Sequence, residues 1–292
     1  MNRLGFRLLI ALVVLGGAAG LVRAQDAGPL PPPPTYKANR IASEPHPGPP
    51  PIPEQQIIKS FAANEDVAKK VYDQYDFTQT VRVEELVDSG GKFAVSGEVY
   101  TRPDGARFWR VVNPPVSNLK FTSYTLEDVR TILTFPLLFL TTDELPNYDF
   151  VYAGEDKLDQ LNTYVFQVKP KMLSRKRSFF QGVVYVDDHD LAIVETYGKF
   201  VNELEGEGAK LPFKMFETYR ENIAEKYWLP TYTSSDDYIT QPNGDELHLR
   251  LVVRSTDFKL HSDAATTPTA TPNAAAPTAA APSQNQNPQP AR

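Results

Sequence analysis

The sequence predicts an α+β protein in which a strongly curved antiparallel sheet forms a half-barrel beneath a helical lid. Three observations predict it. Apolar residues recur at helical spacing in only two stretches, Glu54 to Tyr75 and the run after Thr125, and elsewhere they alternate with period two. The alternating runs follow one another across short polar turns, which favours hairpins over parallel crossovers. A sheet of that length must curl to hide its inner face, and helices must cover what it fails to enclose.

The elements follow in order. Ile57, Ile58, Phe61, Ala62, Val67, Ala68, Val71 and Tyr72 make a helical stripe, and Asn64 could cap a second short helix, so the segment reads as one helix or two. Phe77, Val81 and Val83 then alternate with polar residues, as do Phe93, Val95 and Val99, with Asp88-Ser89-Gly90-Gly91 as the turn between them. Ala106 to Val112 and Leu119 to Tyr124 read as two further strands. Thr125 to Asp128 is a capping box ahead of Leu126, Val129, Ile132 and Leu133, and Pro136 stops that helix. Phe135 to Leu140, with Leu137, Leu138 and Phe139, is the most apolar stretch after the export segment, and Thr141 to Glu144 offers a second capping box. About seven strands follow, from Tyr148 to Phe258.

The ends differ in kind. Arg3 and Arg7 precede an apolar run from Leu8 to Val22, and Val22-Arg23-Ala24 supplies small residues at a cleavage site before Gln25. Residues 1–24 therefore read as an export signal with periplasmic delivery, an uncleaved anchor being the alternative. Residues 25–53 are a proline-rich linker favouring polyproline II, and 262–292 form an Ala/Pro/Thr tail too poor in large apolar side chains to bury a core. The folded domain is 54–261.

The chain carries 30 Lys+Arg against 36 Asp+Glu and has a net charge of -6. That acidic balance argues against a nucleic-acid partner. The absence of cysteine removes disulfides, thiol nucleophiles and thiolate metal sites. Asp187-Asp188-His189-Asp190 is the densest set of potential metal ligands, but adjacent residues between two strands read as a turn. Gly206-Glu207-Gly208 lacks the third glycine of a phosphate cradle, and nucleophile motifs are missing. Paired acids such as Glu84-Glu85 and Asp236-Asp237 point to opposite strand faces. No enzyme activity, cofactor or metal is expected. Lys169, Lys171, Arg175, Lys176 and Arg177 form a basic loop, either simply solvated or a contact for anionic lipid or an acidic partner.

Phe77-Thr78-Gln79-x-Val81, Gly97-Glu98-Val99-Tyr100-x-Arg102-Pro103 and Phe108-Trp109-Arg110 ahead of Pro114 resemble the opening hairpins of the periplasmic lipoprotein carrier LolA. Tyr164-x-Phe166-x-Val168-x-Pro170-Lys171, Phe180-x-Gly182-x-Val184-Tyr185-Val186-Asp187 and Tyr227-Trp228-x-Pro230 resemble the broader outer-membrane lipoprotein-sorting group, LolA/LolB-like. Glu217 to Glu221 is similar to a stretch of uncharacterised acidobacterial members. The resemblance implies a half-barrel with a helical lid over a cavity for acyl chains, and an arginine, here Arg102, that helps to hold the lid.

The expected function is a non-enzymatic periplasmic carrier or binding protein for a lipid or lipoprotein acyl chain. An envelope protein-interaction or sensor module on the same fold is the alternative, and envelope membrane proteins are further candidate partners. The candidate lining residues are Val81, Val95, Val99, Trp109, Val111, Phe121, Leu133, Leu138, Phe139, Val184 and Leu249, with Arg102 added by the resemblance.

Overall fold

The amphipathic stripe of the first helical stretch folds as one helix, α1 (Glu54–Tyr72), whose buried face carries Ile57, Ile58, Phe61, Ala62, Ala68, Val71 and Tyr72. Asn64 caps no second helix. Its amide donates instead to the carbonyls of Asp190 (3.0 Å) and Leu191 (2.9 Å), which ties α1 to a distant turn. The computed structural model describes residues 48–102, 106–133, 138–203, 215–241 and 243–261. The export segment, the linker up to residue 47, the tail, Gly206 to Gly208 and the lid residues Phe135, Pro136 and Leu137 lie outside them.

Three strands follow α1: β1 (Tyr75–Glu85), β2 (Lys92–Thr101) and β3 (Arg107–Ser117). After α2 (Leu126–Leu133) and a 3-10 turn (Leu145–Asn147) come β4 (Tyr148–Leu158), β5 (Leu161–Pro170), β6 (Phe179–Asp187) and β7 (Ile193–Val201). The last three are β8 (Phe216–Ile223), β9 (Tyr227–Thr240) and β10 (Glu246–Leu260). All pair antiparallel in one 10-stranded sheet of order β3-β2-β1-β10-β9-β8-β7-β6-β5-β4. The sheet is curved and unclosed, with β3 and β4 as its two edges. This is the α+β half-barrel that the sequence predicts. Every neighbouring pair is a hairpin except β1–β10, and the connection from edge to edge carries α2. Among the described residues no helix is long and apolar enough to cross a membrane.

Two local expectations fail for identifiable reasons. Leu119 to Tyr124 is not a strand, because the buried Glu85 carboxylate takes the backbone N–H groups of Lys120, Phe121 and Thr122 that a strand partner would need. The third strand instead runs through Pro114 and Pro115 to Ser117, which an edge position tolerates since no ladder donor is required there. The capping box at α2 forms: Asp128 N–H donates to Thr125 Oγ1 (3.2 Å), and Thr125 N–H donates to Asp128 Oδ2 (2.7 Å). Thr141 to Glu144 closes only a backbone turn, Glu144 N–H to Thr141 O at 2.9 Å, before the 3-10 turn.

The inner face of the sheet is covered in sections. The first half of α1 packs Ile57, Ile58 and Phe61, with Leu140, on Tyr148, Tyr164, Phe166, Phe180, Val184 and Ile193. Phe61 meets Phe150 and Phe166 edge-on at 5.8 and 6.2 Å, an arrangement aromatic rings prefer. At the other side α2 presses Val129 and Ile132 on Val81, Val83, Phe93, Val95, Leu249 and Leu251.

Candidate functional site

Between these two packed sections the interior is not filled. A cavity of about 700 Å³ lies against β1 to β3 and β6 to β10, bounded by the second half of α1, by α2, and by Leu138 and Phe139. Its size falls within the ~300–1,000 Å³ usual for small-molecule sites. Phe77, Val99, Trp109, Ile132, Leu133, Leu138, Phe139, Phe180, Phe200, Phe216 and Leu251 make most of its wall apolar.

The floor explains why space remains. Beside Phe200, Phe216 and Arg220 of the same strands, β7, β8 and β9 present the small Thr196, Gly198, Thr218 and Thr233. Thr218 and Thr233 face each other across the β8–β9 ladder, and their hydroxyls hydrogen-bond at 3.0 Å, so neither demands a polar partner from the interior. Gly198 is fixed by close packing: a Cβ there would come within 2.4 Å of the Gln181 carbonyl oxygen and 2.6 Å of the Phe180 ring. Gly97 plays the same part on β2, since a Cβ would lie 2.2 Å from the indole of Trp109, which rests on that strand.

The cover is held by a buried ion pair. Arg220 on β8 reaches Glu65 on α1, both side chains being 2 % exposed, with Nη2 donating to Oε2 at 3.0 Å and Nη1 to Oε1. Arg220 Nη2 also donates to the Leu138 carbonyl (2.9 Å), and Leu140 N–H donates to Glu65 Oε2 (3.1 Å). One pair thus pins helix, sheet and the stretch carrying Leu138 to Leu140 together. The Arg220 guanidinium also lies 5.4 Å over the Phe139 ring. The side-chain donors Arg220 Nε and Trp109 Nε1 are buried with no hydrogen-bond partner among the described residues.

At the other end Arg107 donates to the carbonyls of Tyr72 (3.0 Å) and Tyr75 (2.9 Å), stands 3.6 Å from Asp73, and lies over the rings of Tyr72 and Phe77. Burial pushes the Tyr72 phenol far up, with the Arg107 charge acting only partly against it, so it stays a neutral wall group. Lys69 and Arg130 complete the wall from the last turns of α1 and α2, and both are exposed.

Five of the twelve residues expected to line a cavity do stand on this wall: Val99, Trp109, Leu133, Leu138 and Phe139. The others stand elsewhere. Val81, Val95 and Leu249 are sealed under α2 with Val111 packed at their border, and Val184 is buried beneath α1. Phe121 sits 51 % exposed on the loop that Glu85 captures. Arg102 stands at the β2–β3 turn, 4.7 Å over the Phe108 ring, and the arginine that ties the cover is Arg220. Apolar alternation does not mark the polar and small wall residues. One signal for two of them is present: Lys69 on α1 and Asp73 at its C-cap stand one helical turn apart beside the apolar stripe.

Asp187, His189 and Asp190 bring ligand-capable atoms within 4.8 Å of one another. Their bonds are those of a turn. Asp187 Oδ2 accepts from the N–H groups of His189 (3.2 Å) and Asp190 (2.7 Å), and Asp190 Oδ2 accepts from Trp228 Nε1 (2.9 Å). That indole bond, with the one to His189, holds the Asp190 carboxyl below its ordinary value. In the basic loop, Lys171 donates to Pro146 O, Arg175 pairs with Glu203 at 3.3 Å, and Arg177 pairs with Glu144 at 2.5 Å, so three of its five charges serve local contacts.

No protein-family model and no curated protein sequence matches the chain. Among solved structures it is similar to a LolA superfamily protein from Nitrosomonas europaea, with 11% identity, a TM-score of 0.36, and coverage of 72% of this chain and 94% of that one. An outer membrane lipoprotein-sorting protein domain from Vibrio parahaemolyticus is 11% identical with a TM-score of 0.30, covering 70% and 94%. A DUF1329 family protein from Desulfovibrio piger is 13% identical with a TM-score of 0.29, covering 69% and 93%.

Proposed function

We propose that this chain is an exported, non-enzymatic protein that binds an acyl chain of a lipid or lipoprotein and carries it in the periplasm. The observation that supports this reading most is the apolar cavity of about 700 Å³ between sheet and helices. Its floor is kept low by Thr196, Gly198, Thr218 and Thr233. Burying an acyl chain there gains roughly 0.8 kcal/mol per methylene, so a short length of chain already gives useful affinity. Release requires the stretch around Leu138 to leave the sheet, and the Glu65–Arg220 pair that binds it is the point at which that motion is resisted.

The reading is tested by purifying the protein from cells without detergent and examining it by native mass spectrometry. The expected result is a co-purified lipid or lipoprotein that is displaced by added fatty acid. Protein free of lipid, and unable to take up a fluorescent fatty acid, would sink the reading. One observation favours the envelope-interaction alternative: the edge strand β3 leaves Val112 55% and Val116 71% exposed. A partner docked on that strand would be lost on changing both valines to Lys, while lipid uptake would persist.

A further inference from the structure

The charges around the cavity do not balance. Arg220 is matched by Glu65, and Arg107 has Asp73 at 3.6 Å. Lys69 and Arg130 complete the cationic set on the wall, and among the described residues neither has an ion pair or a side-chain hydrogen bond. They come from different helices, α1 and α2, and both are exposed, so they stand where the wall meets solvent. The wall as a whole carries four cations, Lys69, Arg107, Arg130 and Arg220, against one carboxylate, Asp73, in a chain whose net charge is -6.

We propose that the cavity takes an acyl chain bearing an anionic head group, with Lys69 and Arg130 holding the charge at the mouth while the chain lies against the apolar wall. The inference rests on the acyl-binding reading above and adds the polarity of the ligand's head. The chemistry fits a carboxylate, as in a free fatty acid, or a phosphate diester, as in an acidic phospholipid. Both accept charge-assisted hydrogen bonds from ammonium and guanidinium donors. A neutral ester brings no charge to the two cations, and in a zwitterionic head the choline cation offsets the phosphate, so both should compete less well than an anionic head. Each also sits in the last turn of its helix, where the dipole favours a cation whatever the ligand, so a stability measurement cannot separate the two roles. Ligand preference can.

The test titrates the full chain with a fluorescent polyene fatty acid and, separately, with its methyl ester, then competes the probe with lysophosphatidylglycerol and lysophosphatidylcholine. The acid should bind about tenfold more tightly than the ester at low salt, and the preference should shrink as salt rises. The double variant Lys69→Gln, Arg130→Gln should bind acid and ester alike, its loss of affinity falling mainly on the acid. Stronger competition by the lysophosphatidylglycerol than by the fatty acid itself would name the phosphate as the source of the charge, and the reverse order would name the carboxylate. Equal binding of acid and ester by the wild type would overturn the proposal while leaving acyl binding intact. Binding of neither would overturn acyl binding as well.

Discussion

Two sections of one sheet face differ in what fills the space above them. Over β4 to β7, Tyr148, Tyr164, Phe166 and Ile193 pack with Ile57 and Phe61 of α1, and the interior is closed. Over β7 to β9, beneath the second half of the same helix, Thr196, Gly198, Thr218 and Thr233 leave the cavity. The helix is continuous and the sheet is continuous. Small side chains at these four strand positions therefore help to set where this fold is hollow. The ion pair between Glu65 and Arg220 stands between the two regimes.

The sharpest way to break that comparison is truncation on both sides of it. Phe166→Ala, in the closed section, should cost about 4 kcal/mol by urea unfolding, while Phe139→Ala on the cavity wall should cost about 1 kcal/mol, since its space already borders a hollow. Equal losses would mean that both sections are packed alike. Next in size is Arg220→Met, expected to cost about 3 kcal/mol because it leaves Glu65 buried without its partner. Replacing both by Leu should recover most of the loss in stability yet speed the release of bound fatty acid, since the tie to Leu138 and Leu140 is gone.

A third prediction concerns the loop that leads into α2. Burial alone would raise the Glu85 carboxyl, but the backbone N–H groups of Gly91, Lys120, Phe121 and Thr122 outweigh it and hold the group below its ordinary value. A depressed carboxyl contributes stability above its unfolded pKa and loses it as pH falls through the folded one. Glu85→Gln should thus cost about 2 kcal/mol at neutral pH, and the difference from wild type should fade below about pH 4. Amide exchange in residues 119–133 should rise in the variant while that of β5 and β6 stays protected. The smallest effect is expected from Thr196→Phe, which fills the hollow: stability should change by less than about 1 kcal/mol, while fatty-acid affinity should fall about tenfold.

Periodicity made the elements readable, and chemistry that acts across the chain made the site hard to read. α1 and the capped α2 follow from local spacing and from Thr125 and Asp128, because helix caps are local bonds. Phe121 was misplaced because the carboxylate that captures its backbone lies on β1, 36 residues earlier. Val81 and Val99 alternate on the same terms, yet one lies under α2 and the other on the cavity wall. Period two gives the face of a strand, but not what sits above it. Arg220 and Glu65 are 155 residues apart, a separation that no local pattern can bridge.

The pairing of β1 with β10 inside the sheet has a consequence for how the molecule is born. Tyr75 meets Leu260 there, so the strand made first in this domain must wait for the one made last. Until then β1 to β3 and β4 to β9 are two separate ribbons, each with an open flank able to recruit a stranger. Closing so long a loop comes before any reward from the contacts it brings, and such topologies assemble slowly. A chain of this design therefore needs its surroundings to keep both flanks apart from other polypeptides until its final strand arrives.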